Sequence, residues 1–106
     1  MVWVVLVVAG IFETAMAVAL KASGGFSRPL PSLLFLLFGG ASFGLLSLAL
    51  RSLPVGTAYA VWTGIGAAGT AVVGILFLGE PATALRLLCL SLIVAGVVGL
   101  RFAGGH

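Results

Sequence analysis

Residues 2–20 read VWVVLVVAGIFETAMAVAL, a run broken by two polar side chains only, Glu13 and Thr14. A helix needs roughly 20 apolar residues to cross about 30 Å of hydrocarbon. This run meets that length, and it is not alone. Further apolar stretches follow the breaks Lys21–Pro31 (KASGGFSRPLP), Arg51-Ser52-Leu53-Pro54 and Gly79-Glu80-Pro81. Gly, Pro, Ser and scattered charges mark each break as a short turn. Open strands would leave backbone groups unpaired in lipid, so the stretches are helices. The expected fold is all-α: an integral membrane bundle of four transmembrane helices. The chain, 1–106, reads as a single transmembrane domain with helices at about 2–21, 31–50, 55–78 and 83–102.

Composition supports this reading. Apolar residues are 62% of the chain and charged residues 7%, with a mean hydropathy of +1.38. A soluble domain carries about 25% charged residues. The net charge of +3 reflects scarce acids, since Glu13 and Glu80 are the only acidic side chains. With no Lys/Arg cluster, a nucleic-acid partner is excluded. The first run lacks the basic leader of a signal peptide and carries a glutamate, so it is expected to stay in the mature protein. The fourth helix is short if counted from Leu87, unless Arg86 snorkels to the headgroups.

Short turns make successive helices antiparallel and put both termini on one side. Arg51 and Arg101 then lie on that side, and Lys21, Arg28 and Arg86 on the other. So even a distribution gives the positive-inside rule little to act on. Either a weaker cue selects one orientation, or the chain inserts both ways and pairs as an antiparallel, dual-topology homodimer.

Glu13 is the focus of the chemistry. It lies near the middle of a span, where a charge costs several kcal/mol, and every Lys and Arg is at a segment end. Such a group is expected to exchange protons near neutrality, alternating between a neutral acid and a carboxylate awaiting a cation. The plainer alternative is a permanently neutral acid bonded between helices. Ala9, Gly10 and Ala17 share its face, leaving room for a ligand or for close packing. On the third helix Tyr59, Trp62, Thr63 and Gly66 form one stripe. Aromatic faces there suit a cation, although an interfacial aromatic belt, as for Trp3, is the competing explanation. Gly64, Gly66 and Gly69 permit either hinging or tight approach. Ser42, in a glycine-rich stretch, either reaches Glu13 or bonds its own helix. Cys89 and Gly96 are seven apart on the fourth helix and suggest a seam between subunits. Cys89 is the only cysteine, so it forms no intramolecular disulfide. His106 is terminal, no metal-ligand cluster is evident, and no cofactor is expected. No nucleophile–base pair is present, so the protein is not expected to be an enzyme.

Taken together these features resemble the small multidrug resistance family across essentially the whole chain. The residues that carry the likeness are Glu13 in the first helix, the K-x-S-x-G-F pattern of Lys21–Phe26, and Leu53-Pro54-Val55-Gly56-Thr57-Ala58-Tyr59-Ala60-Val61-Trp62-Thr63-Gly64-Ile65-Gly66. Within the family, Gly10-Ile11-Phe12-Glu13, Trp62–Gly66 and Glu80–Arg86 are more similar to the guanidinium exporters than to the quaternary-ammonium exporters. The resemblance implies a proton antiporter of the bacterial inner membrane. It also implies that Glu13 binds substrate and proton in turn, that Ser42 and Tyr59 contact the glutamate, and that Trp62 lines the pocket with Thr63 and Met16 nearby. The implied partners are guanidinium-type or other small organic cations, protons, membrane lipids and a second copy of the chain. One departure stands out. Guanidinium exporters usually carry a tryptophan at the position of Met16, so substituted guanidiniums or wider lipophilic quaternary ammonium cations remain open as cargo. A non-transporting membrane subunit, half of an obligate heterodimer and a lipid-carrier flippase are the remaining alternatives.

Overall fold

The computed structural model describes residues 2–103. Four helices account for most of them: α1 (Val2–Ala22), α2 (Pro29–Ala49), α3 (Val55–Phe77) and α4 (Ala84–Phe102). At 1.5 Å per residue they are roughly 28–35 Å long, enough to span a bilayer. All four have the length and composition of membrane spans. The bounds differ from the expected ones by one or two residues, for identifiable reasons. α1 runs one residue further, to Ala22. α2 starts at Pro29 rather than 31, because proline is suited to the first helical turn, where its missing N–H is not needed. α2 and α3 each stop one residue sooner, at Ala49 and Phe77. Thr83 lies outside α4 as its N-cap, its side chain accepting from the Arg86 N–H at 3.2 Å.

The turns explain themselves locally. After α1, the buried Ser23 hydroxyl donates to the Leu20 carbonyl (2.7 Å) and accepts from the Phe26 N–H (3.1 Å). That pair of bonds holds Phe26 at a φ of +67°, a conformation uncommon for a side chain of this size. The Phe26 ring meets Phe35 edge-on, 5.4 Å between centroids. After α3, Gly79 (φ +72°) reverses the chain and lets the Glu80 N–H close on the Gly74 carbonyl at 3.0 Å. Arg86 then curls back from the start of α4, with Nη2 on Glu80 Oε1 (2.7 Å) and Nη1 on the Pro81 carbonyl (3.0 Å). Its charge therefore stays at the membrane edge, and α4 reaches full length from Ala84.

Spatially the order is α2, α1, α3, α4. α1 packs mainly on α2 and α3, α2 also touches α3, and α4 packs mainly on α3. The result is a slab of 42 × 34 × 18 Å. Arg101 lies 5.1 Å from the Trp3 ring centroid, so the end of α4 sits beside the start of α1. Burial concentrates at that end. Leu6, Ala9, Leu46, Ala49, Leu53, Ala58, Val61 and Trp62 make one contiguous core. Toward the opposite end α1, α2 and α3 part around an apolar groove walled by Val18, Ala22, Pro31, Leu34 and Phe77. No residue of α4 is buried.

Within the core, Trp62 Nε1–H donates to Ser42 Oγ (2.8 Å), and Ser42 Oγ–H donates to the Ala9 carbonyl (2.7 Å). This relay ties three helices together at one level. Interhelical hydrogen bonds in lipid contribute about 0.6–2 kcal/mol each. Ser42→Ala removes both bonds and orphans the indole N–H, whereas Trp62→Phe removes one and keeps most of the ring. Reversible unfolding in mixed micelles should show a loss of about 1–3 kcal/mol for Ser42→Ala from the bonds and the orphaned donor. The hydrogen-bond component lost in Trp62→Phe should be smaller.

Candidate functional site

Glu13 sits in the seam between α1 and α3. Two helices can bring backbones this close only where side chains are absent, and glycines recur at each level of the seam. A Cβ placed on Gly10 would strike Ile65; one on Gly66 would strike the Glu13 carboxyl; one on Gly69 would strike the Thr14 hydroxyl. The contacts climb both helices together, so α1 and α3 run parallel. The Glu13 side chain thus lies flat against the backbone of α3 at Gly66. Its Oε1 is buried and has no hydrogen-bond partner. The one ion pair among the described residues is Arg86–Glu80, remote from Glu13 in the α3–α4 turn and more than one-third exposed at Glu80. At such exposure the pair contributes little, about 0–1 kcal/mol.

The structure distributes the other sequence-derived candidates unevenly. Trp62, 4% exposed, is one turn from Gly66 on α3, at the level of Ala9. Tyr59 is 55% exposed, its ring 5.5 Å from Trp62, and Phe43 covers the indole from α2 at 5.1 Å. Ser42 is fully buried, and its hydroxyl is committed to Ala9 and Trp62, not to Glu13. A contact from Tyr59 to the glutamate is likewise not among the hydrogen bonds of the described residues. Thr63 turns back on its own helix, donating to the Tyr59 carbonyl at 2.7 Å. Met16 leaves the α3 side altogether: its sulfur lies against Gly39 of α2, 3.0 Å from where a Cβ would stand. Gly10 and Gly66 serve the α1–α3 approach, whereas Gly64 admits Val97 of α4. Cys89 and Gly96 are exposed on α4, with nothing of the described chain near a Cβ at Gly96. No three His, Cys, Asp or Glu gather among the described residues, and His106 lies outside them.

Two features escaped the sequence reading. Thr14 bridges α1 and α3, its Oγ1 3.3 Å from both the Gly10 and Gly66 carbonyls. The available signal was a second polar residue beside Glu13, facing a helix with glycines at 66 and 69. The Ser42–Trp62 bond joins residues on different helices, and no spacing within one helix announces it.

Four apolar spans around one mid-span carboxyl define a small multi-pass membrane protein. The profile of the small multidrug resistance protein family matches residues 1–93. This chain belongs to that family, and with it to the bacterial inner membrane. Among its relatives, a guanidinium exporter of Yersinia pseudotuberculosis is 55% identical over 97% of this chain and 99% of its own length. Guanidinium exporters of Salmonella typhimurium and Citrobacter freundii are each 54% identical, over 95% of this chain and 96% of theirs.

The seam makes a direct prediction. Gly66→Ala must push α1 off α3 or rotate the carboxyl away, an overpacking cost of about 1–3 kcal/mol. Labelling of Glu13 by a hydrophobic carbodiimide, read by mass spectrometry, should change in rate at least about fivefold for that variant. Gly40→Ala, where a Cβ meets open space, should label at the parental rate.

Proposed function

We propose that this chain exports guanidinium and small substituted guanidinium cations in exchange for protons, working as an antiparallel, dual-topology homodimer. The observation that carries the reading is the Glu13 carboxyl: mid-span, pressed on Gly66, with a buried oxygen that nothing in the chain satisfies. An unsatisfied acceptor of this kind is costly to maintain in lipid. A cation or a proton supplies what is missing. The guanidinium exporters that match nearly the whole chain support guanidinium as the cation.

Guanidinium is planar with N–H donors in its plane, so it bonds two carboxylates at once. Two copies of the chain, inserted in opposite senses, bring two Glu13 side chains to one central site. The even spread of Arg and Lys over the two sides supports that arrangement, as does α4, whose exposed length with Cys89 and Gly96 provides a seam for the second copy. The two carboxyls titrate as a unit. When they hold protons the cation is excluded, and when they shed them the cation is held. Protons entering on one side therefore drive cations out on the other. Trp62, fixed by Ser42, walls the site, and the exposed Tyr59 phenol is free to face substrate. Gly64 and Gly66 give α3 the freedom to move between two access states.

Met16 supports a broader cargo as the second reading. Its flexible thioether leans on α2 and leaves the flank of Glu13 without a rigid wall. Lipophilic quaternary ammonium cations would then share the route.

Proteoliposomes of the single purified chain test these readings together. Guanidinium uptake against an opposing proton gradient should be saturable, should weaken as pH falls through the titration of the carboxyls, and should vanish with Glu13→Gln. A panel extending from guanidinium through alkylguanidiniums to tetraphenylphosphonium sets the breadth of cargo. Uptake indifferent to Glu13→Gln would sink the exporter proposal and leave a non-transporting membrane subunit.

A further inference from the structure

We propose that Thr14 is a positioning residue for the site: through the backbone of Gly66 it fixes where the Glu13 carboxyl rests on α3. Glu13 and Thr14 are consecutive, so their side chains leave α1 about 100° apart. Both nonetheless meet α3. The carboxyl lies where a Cβ on Gly66 would be, and the Thr14 hydroxyl lies where a Cβ on Gly69 would be. Two neighbouring side chains of α1 therefore straddle one turn of α3, and glycine at both positions exposes the backbone they grip. The hydroxyl adds a directional bond, with Oγ1 3.3 Å from the Gly66 carbonyl. That bond sets the height of α1 against α3 at the very residue on which the carboxyl lies.

The same bond is built to let go. Thr14 Oγ1 is also 3.3 Å from the Gly10 carbonyl of its own helix, so a single hydrogen is shared between two acceptors. Hydroxyl hydrogen bonds usually run about 2.7–2.8 Å, so both are long. If α3 tilts, the hydrogen stays with Gly10, as threonines commonly bond their own helix. No donor is orphaned, and the large penalty of a buried unpaired group is avoided. Thr14 can hold the register in one state and release it in another at little cost.

Charge does not offer a competing explanation for how the carboxyl is placed. α2 and α3, the helices packed against α1, carry no charged side chain, and Tyr59 is their only titratable group. On α1 itself the one other charge is Lys21, in its last turn. The setting of Glu13 thus depends on distance to backbone dipoles and on hydration, both of which the Thr14 contact governs.

The effect on guanidinium rests on the exporter reading; the effect on Glu13 does not. Accordingly, both are measured in the full chain in bilayers: the titration of Glu13 by its 13C-carboxyl NMR shift, and guanidinium binding by calorimetry. Thr14→Val keeps the shape and loses the hydroxyl. It should displace the Glu13 titration midpoint and weaken guanidinium binding about three- to tenfold, the range for one modest hydrogen bond. Thr14→Ser should restore both. Gly69→Ala should reproduce the defect, because its Cβ collides with the hydroxyl. In a Thr14→Ala background it should add nothing, the nearest remaining atom being the Cβ of residue 14 at 3.4 Å. A Thr14→Val midpoint equal to that of the parent, or failure of Thr14→Ser to restore it, overturns the proposal. If the parent binds no guanidinium, the exporter reading falls, and the Glu13 midpoints alone still decide the role of Thr14.

Discussion

One carboxyl group in hydrocarbon, with a buried oxygen that no hydrogen bond satisfies, sets the terms for the rest of this molecule. A charge at that depth is expensive and a neutral acid still has donors and acceptors to satisfy. The chain does not bring a basic residue to meet it. Instead α1 and α3 carry glycines that let the side chain lie flat in their seam, at Gly66. Close approach is the driving force available to helices in lipid, since burying apolar surface gains nothing there. The same glycines thus provide the packing of the fold and the room for its reactive group.

The contrast with the other buried polar side chains is instructive. Ser23 and Ser42 are fully buried, and each is bonded twice, donating to a carbonyl and accepting from an N–H. Ser42 accepts from Trp62 and donates to Ala9, and so clamps three helices one turn away from Glu13. These two buried hydroxyls are closed circuits. Among the described residues only Glu13 Oε1 is both buried and unpartnered. Native proteins seldom leave such a group open without a use for it, and the rigid relay beside it keeps the opening in a defined place.

Much of this was legible in the sequence because lipid simplifies the code. The four spans follow from apolar length alone, and Glu13 stands out because nothing else charged lies deep in a span. The glycines at 10, 64 and 66 could be recognised as packing or hinge positions, though not which helix each would meet: Gly64 turned out to receive α4 and Gly66 to receive α1. What remained hidden were partnerships across helices. Period along one helix says which residues share a stripe but not which neighbour that stripe faces, because crossing angle and height are set by the packing itself. Hence Met16, three residues after Glu13, lies against α2 while the glutamate lies against α3, and Ser42 bonds Trp62 rather than the acid. At the turns, Pro29 and Thr83 act at helix starts as proline and threonine do, which begins α2 two residues earlier and α4 one residue later than the sequence reading had them.

The core residues from Leu6 to Trp62 cluster near the chain ends, whereas the helices part toward the Lys21–Pro31 turn. In shape this is a pair of tongs closed along one tip, with a gap between the arms toward the other, where Ala19 and Ser23 still close the joint between α1 and α2. The wedge-shaped gap this leaves is apolar, so whatever lies between the arms on that side must itself be greasy, be it an acyl chain or a neighbouring helix.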